Sequence, residues 1–352
     1  MKNLYVLLLV FGLASAYGQT TYLTEHFDYD ADVEIRAHGW AAHSASDQNP
    51  IKTSAEGLAM SNTMYAGNGI GRAALVINNG SDENKAFSGW VQQPADGESP
   101  VHTYAALLIK PNGQIPEATG NTRPYFFHLV EYADPDNPEP TSISTAHRAR
   151  TFIYPGTLPN TFRLNLSFNQ NEPDPANQTN NFNSTETHLL VIKYTSIAGP
   201  DNDEVSLYVF KDGDDISSEP ATPTIGPLVG TNRDVVLQAV ALRQYQDEQN
   251  VIVDGLIVKD HWDFLDNTNS VNEEAFRAGL KVFPNPVSGG MLNIVTATPG
   301  AMQVRAFDVA GKLVANAYIL DGQLDVSAWG KGVYFLSIIQ DNKVYSHKLI
   351  VH

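Results

Sequence analysis

The 352-residue chain is too long for one small core and fits two domains, and 42% hydrophobic with 17% charged residues makes it globular. Its formal charge is −17. From Lys281 onward six basic and four acidic residues give +2, which leaves −19 on the rest, a poor surface for nucleic acid or anionic lipid. The chain has no cysteine, which excludes disulfides, thiolate metal sites and cysteine nucleophiles.

The first eighteen residues, "MKNLYVLLLVFGLASAYG", read as a secretory signal peptide. Lys2 supplies the positive start, Leu4 to Leu13 an apolar run too short to span a bilayer with ease, and Ala14-Ser15-Ala16 a cleavage signal. Cleavage is placed after Ala16 or Gly18. No later apolar run approaches eighteen residues, so no transmembrane segment is expected in the mature chain.

From 19 to 265, short segments rich in β-branched and aromatic residues alternate with Gly, Pro, Asn and Asp. "TFRLNLSF" shows the period best: Phe162, Leu164, Leu166 and Phe168 share one face, and Arg163, Asn165 and Ser167 the other. Many such strands without helices predict an all-β fold, a large antiparallel β-sandwich of jelly-roll or laminin-G-like type. This block resembles carbohydrate-binding jelly rolls and laminin-G-like sandwiches at the level of fold. In such folds the first and last strands often pair, which would bring "HFDYDAD" to "VDGLIV".

Residues 266–280 form a polar linker, with one helical turn at "NEEAFR". Residues 281–352 read as a second, small Ig-like β-sandwich of strands, its last two joined as a hairpin at Asp341-Asn342.

That last block opens with "KVFPNP". The prolines fix the backbone and donate no hydrogen bond, and Asn285, caught before a proline, is pushed to an extended conformation. With "VRAFDVAGKLV", "LDVSAWGKGVYFLSI" and "HKLIV", it resembles the C-terminal sorting domain of the type IX secretion system of Bacteroidetes. Pro284, Asn285, Pro286, Gly311, Lys312, Gly332, Tyr334 and Lys348 carry the resemblance; Phe283 departs from it where tyrosine is frequent, as does the terminal His352. The resemblance implies passage through the periplasm to the cell surface or the medium, with the secretion machinery and a sortase as partners.

No catalytic signature assembles, and no catalytic residue is assigned. There is no G-x-S-x-G, H-E-x-x-H or P-loop, and the histidines show no metal-like spacing. His128, inside "YFFHLV", reads as a hydrogen-bonded sheet histidine. Glu131 and Asp134 are the nearest approach to a glycosidase acid pair, on opposite faces of a strand broken by Pro135. Asp28 and Asp254 are candidate ligands of a structural Ca²⁺, completed by backbone carbonyls. Trp90, Trp40 and Tyr104, with Trp262 and Tyr65, are candidates for stacking on sugar rings. The acidic domain makes neutral polysaccharide the expected partner, bound without cleavage, against the alternatives of a glycan hydrolase or lyase and of a structural surface protein.

Overall fold

The computed structural model describes residues 19–44, 48–77, 79–117, 124–170, 172–230, 234–244, 249–265, 280–288, 290–296, 300–309, 312–340 and 343–352. The signal peptide, nearly all of the linker, Gly311 and the Asp341-Asn342 turn lie outside the described residues. The chain divides into two compact units, Met1–Leu265 and Asp266–His352. Helix among the described residues is confined to two short 3₁₀ turns, Ile35–His38 and Pro175–Asn177.

The first unit has β1 (Thr21–Glu25), β2 (Trp40–Ala42), β3 (Lys52–Thr53), β4 (Ala74–Val76), β5 (Glu83–Val91), β6 (Val101–Pro111), β7 (Tyr125–Val130) and β8 (Arg148–Pro155). It continues with β9 (Thr161–Ser167), β10 (Phe182–Asn183), β11 (His188–Ser196), β12 (Glu204–Phe210), β13 (Ile225–Val229), β14 (Leu237–Leu242) and β15 (Val251–Lys259). One sheet runs β13-β12-β11-β6-β15-β4-β3, with β1 also on β15; the other runs β10-β9-β8-β7-β14-β5-β2. All pairings within them are antiparallel. The first and last strands do pair, Leu23 with Val258 and Glu25 with Leu256.

The core lies between the sheets. Leu107, Ile109, Leu190, Ile192, Val205 and Leu207 of the first sheet and Leu129, Leu164, Leu166, Val240 and Leu242 of the second belong to one buried cluster. Phe162 and Phe168 join it, as the two-residue period requires. The other face of β9 differs from the expectation: Asn165 and Ser167 are buried too. The polar loop after β9 folds back over them, and Asn165 donates to the Asp174 carbonyl at 3.0 Å. A period of two identifies the core side of a strand and is silent on what covers the other.

The second unit has β16 (Lys281–Phe283), β17 (Met291–Val295), β18 (Met302–Asp308), β19 (Leu313–Ile319), β20 (Gln323–Asp325), β21 (Gly332–Gln340) and β22 (Lys343–Val351). They form a three-stranded sheet, β16-β17-β20, and a four-stranded sheet, β19-β18-β21-β22, around their own core of Leu292, Ile294, Val304, Leu336, Ile338 and Leu349. The Pro-Asn-Pro segment lies along β22. Because its prolines cannot donate, the Asn285 side chain does so, giving a hydrogen bond to the Lys348 carbonyl at 2.7 Å and accepting one from Ile350 N at 2.9 Å. Val287 N then donates to the Ile350 carbonyl at 2.8 Å.

Candidate functional site

The outer face of the second sheet carries an unusual group of side chains. His43 follows β2, Asn84 is on β5, Tyr125 and His128 are on β7, His147 and Arg150 flank the start of β8, and Arg243 follows β14. The His128 ring stacks on His147 at 4.3 Å and meets His43 edge-on at 6.1 Å and Tyr125 at 5.6 Å. Two guanidinium groups lie against the same Tyr125 ring, Arg243 at 4.2 Å and Arg150 at 5.0 Å from its centroid. Arg150 Nη2 is 3.3 Å from His147 Nδ1, and Asn84 Nδ2 is 3.1 Å from His43 Nδ1. Asp82 lies 3.8 Å from Arg243.

The electrostatics follow from burial among cations. His128 is held well below the ordinary histidine value by burial first, then by His147, His43 and the two arginines. Burial and Arg150 lower His147 to about 3, and burial lowers His43 to about 4. All three imidazoles are therefore neutral at pH 7, beside guanidinium groups that stay charged. Asp82 is raised by burial to about 6, against the pull of Arg243. The expectation for His128 is corrected in one respect. It is fully buried in the sheet, but neither ring nitrogen has a hydrogen-bond partner among the described residues.

A loop borders the group. Residues 131–144 double back, with Ala133 N donating to Ser142 O and Ser144 N to Glu131 O. Tyr132 packs with Val130, Ala239 and Ala241, its hydroxyl donating to Asn84 Oδ1 at 3.1 Å. Asn84 also donates to the Pro140 carbonyl at 2.7 Å, and Gln238 to that of Pro135 at 2.9 Å. Glu131 is buried and accepts from Val236 N, while Asp134 accepts from the N–H groups of Asp136 and Asn137. Both acids thus hold backbone structure on either side of the turn.

The predicted stacking residues separate. Trp90, on the same strand as Asn84, is 42% exposed. Trp40 is buried instead, stacked on Phe27 at 5.9 Å with its indole N–H donating to Glu25 at 3.1 Å. Tyr104 is buried likewise, donating to Glu219 at 2.7 Å under the edge of Trp262, and Tyr65 is buried and donates to the Gly255 carbonyl at 2.5 Å. For these rings the apolar body went to packing and the polar tip to an internal acceptor.

Asp28 and Asp254 come to one corner through two glycines. A Cβ on Gly71 would meet Asp28 N at 2.8 Å, and one on Gly57 would meet the Gly71 carbonyl at 2.7 Å and Asp254 at 3.0 Å. Asp28 is exposed, whereas Asp254 is buried and accepts from Leu58 N and Gly255 N, each at 2.6 Å. No group of three or more His, Asp or Glu side chains able to hold a metal occurs among the described residues.

The sequence reading missed His43, His147, Arg150 and Arg243. One signal was available: "HRAR" at His147 is a dense cationic run in a strongly acidic domain.

In the second unit, Gly332 opens β21, Tyr334 donates to the Gly330 carbonyl at 2.7 Å, and Lys348 is exposed on β22. Lys312 closes a turn, its N–H donating to the Asp308 carboxylate and its carbonyl accepting from Asp308 N, each at 3.0 Å.

Residues 281–352 match the secretion system C-terminal sorting domain family. No curated protein matches the chain. Among solved structures, the chain is similar to the catalytic domain of a glycoside hydrolase family 131 protein from Coprinopsis cinerea. Identity is 10% over 72% of this chain and 89% of that one, with a TM-score of 0.29. It is also similar to basic winged bean lectin with Tn-antigen, at 12% identity over 68% and 98% of the two chains and a TM-score of 0.29. A third is PorZ, a surface component of the type IX secretion system of Porphyromonas gingivalis, at 11% identity, 89% and 51% coverage and a TM-score of 0.19. Such low scores carry no argument about the site. The tail does carry one: it is a type IX sorting domain, and it directs the protein to the cell surface or the medium. Among the described residues no helix is long and apolar enough to cross a membrane.

Proposed function

From this sorting domain and the polar face of the second sheet, we propose an exported β-sandwich that binds glycan on that face. One observation carries the reading. Trp90 exposes its ring on β5, the strand that also brings Asn84 into the histidine–arginine group. A ring face stacks on the apolar C–H side of a sugar, and imidazole, guanidinium and amide groups suit hydroxyl groups. Asn84 and Trp90 are six positions apart, up to about 20 Å along a strand, so a ligand touching both is a polymer. The group contains imidazoles, guanidinium groups and a phenol, not the paired carboxylates of glycoside hydrolysis, which supports binding over hydrolysis by an acid pair.

The test is affinity electrophoresis of the full chain through gels containing neutral or acidic polysaccharides. Retardation by at least one polymer is expected. Trp90→Ala should lose most of it while costing under about 1 kcal/mol of stability, since an exposed side chain contributes little packing. If no polymer retards the protein, the glycan reading fails.

A further inference from the structure

We propose that the histidine–arginine group on the second sheet receives a carboxylate-bearing sugar, a uronate within a polysaccharide. The inference rests on the glycan reading above and gives it a substrate class. The acidity of the whole domain argues for neutral polymers, but this face gathers two guanidinium groups around one ring.

Three observations carry it. Arg150 and Arg243 both lie within 5.0 Å of the Tyr125 centroid, so two positive groups share one small space. Guanidinium is the side chain whose planar donors match a carboxylate. Next, the guanidinium groups of Arg150, Arg243 and Arg148 all lower the proton affinity of His147. These cations gather behind the partly exposed His147, with Asp82 3.8 Å from Arg243. Last, His128 is fully buried with both ring nitrogens unpartnered among the described residues. Structure alone does not favour such a residue, because a leucine would fill the space without burying unpaired polar atoms. Neutral imidazoles supply donors and acceptors for hydroxyl groups beside the carboxylate, and do not themselves attract it by charge.

The experiment compares matched polymers on the intact chain at 0.15 M salt: polygalacturonate, its methyl ester, neutral galactan and dextran sulfate. Retention by polygalacturonate at least tenfold stronger than by its methyl ester is expected, because the two differ only in the carboxylate. Equal retention by acid and ester overturns the carboxylate inference and leaves the glycan reading standing. Retention strongest on dextran sulfate overturns it as well, since that outcome is charge without carboxylate geometry. No retention by any polymer overturns both. To place the site, oligogalacturonate should shift the imidazole NMR signals of His128 and His147; unmoved signals with retained binding would put the carboxylate elsewhere. His128→Leu should weaken retention at least tenfold without lowering the melting temperature. A variant that binds normally would remove His128 from the site.

Discussion

On the outer face of the first sheet, Trp262 is packed by Tyr104, Tyr208, Phe210 and Phe264, and its indole N–H donates to the Ile216 carbonyl at 3.0 Å. Glu219 accepts from Tyr104, Tyr208 and Lys193 at 2.5–2.7 Å. On the outer face of the second sheet, His128 has no such partners among the described residues, and two guanidinium groups crowd one phenol ring. The first face has satisfied its polar groups internally and closed over them with aromatic packing. The second keeps the His128 ring nitrogens without partners among the described residues, which costs stability and is kept where a ligand repays it. The difference is the ground for proposing a ligand face on the second sheet rather than on the first.

The largest effect expected from this comparison is at Trp262. If it is a structural plug, Trp262→Ala should cost about 3–5 kcal/mol in urea unfolding and leave polysaccharide retention of the folded fraction unchanged. A cost below about 1 kcal/mol together with lost retention would reverse the two faces.

A smaller effect comes from acid. His43 and His147 have folded values of about 4 and about 3, below the ordinary 6.5. Below pH 6.5 the unfolded chain therefore binds protons that the folded chain refuses, and stability falls as pH drops. For His43 the loss reaches up to about 3 kcal/mol at 1.36 kcal/mol per pH unit. Buried acids work in the opposite sense. Glu83, raised by burial to about 7, and Asp254, raised to about 8, contribute stability below the unfolded carboxylate value that is lost as pH rises through their folded values. The clean measurement is thus a difference. His43→Gln should gain stability relative to the native chain as pH falls from 7 to 4. A pH-independent difference would mean that His43 is not held neutral by its surroundings.

How legible all this was in the sequence depends on range. The tail was readable because its signals are local and ordered: Pro284, Asn285 and Pro286 are adjacent, and Asn285 replaces the donors its neighbours lack. The strands were readable because a period of two is local as well. The burial of Trp40 and Tyr104 was not readable, because an aromatic ring has the same composition signal whether it packs or waits for a ligand. The site was not readable because His43 and Arg243 stand 200 positions apart, and β2, β5, β14, β7 and β8 become neighbours only through sheet order. "HRAR" marked the place without saying what else would gather there.

The smallest expected effect concerns calcium at Asp28 and Asp254, and it would break the comparison, because Asp254 sits on β15 of the first sheet against the Leu58 backbone. Burial pushes the Asp254 carboxyl up to about 8, outweighing the two N–H groups that donate to it. Near pH 7 it holds a proton much of the time. A cation there must displace that proton, so calcium stabilisation should grow with pH. At 1 mM Ca²⁺ and a Kd of about 0.1–1 mM, as in extracellular modules, mass action gives about 0.4–1.4 kcal/mol. Melting temperature with calcium or with chelator, at pH 6 and pH 8.5, reads this directly. A calcium site predicts a gap at pH 8.5 that narrows at pH 6 and vanishes in Asp254→Asn. Identical melting at both pH values would remove calcium from this corner. Asp254 would then be a buried latch between β15 and the Leu58 segment, held by the two N–H groups that donate to it.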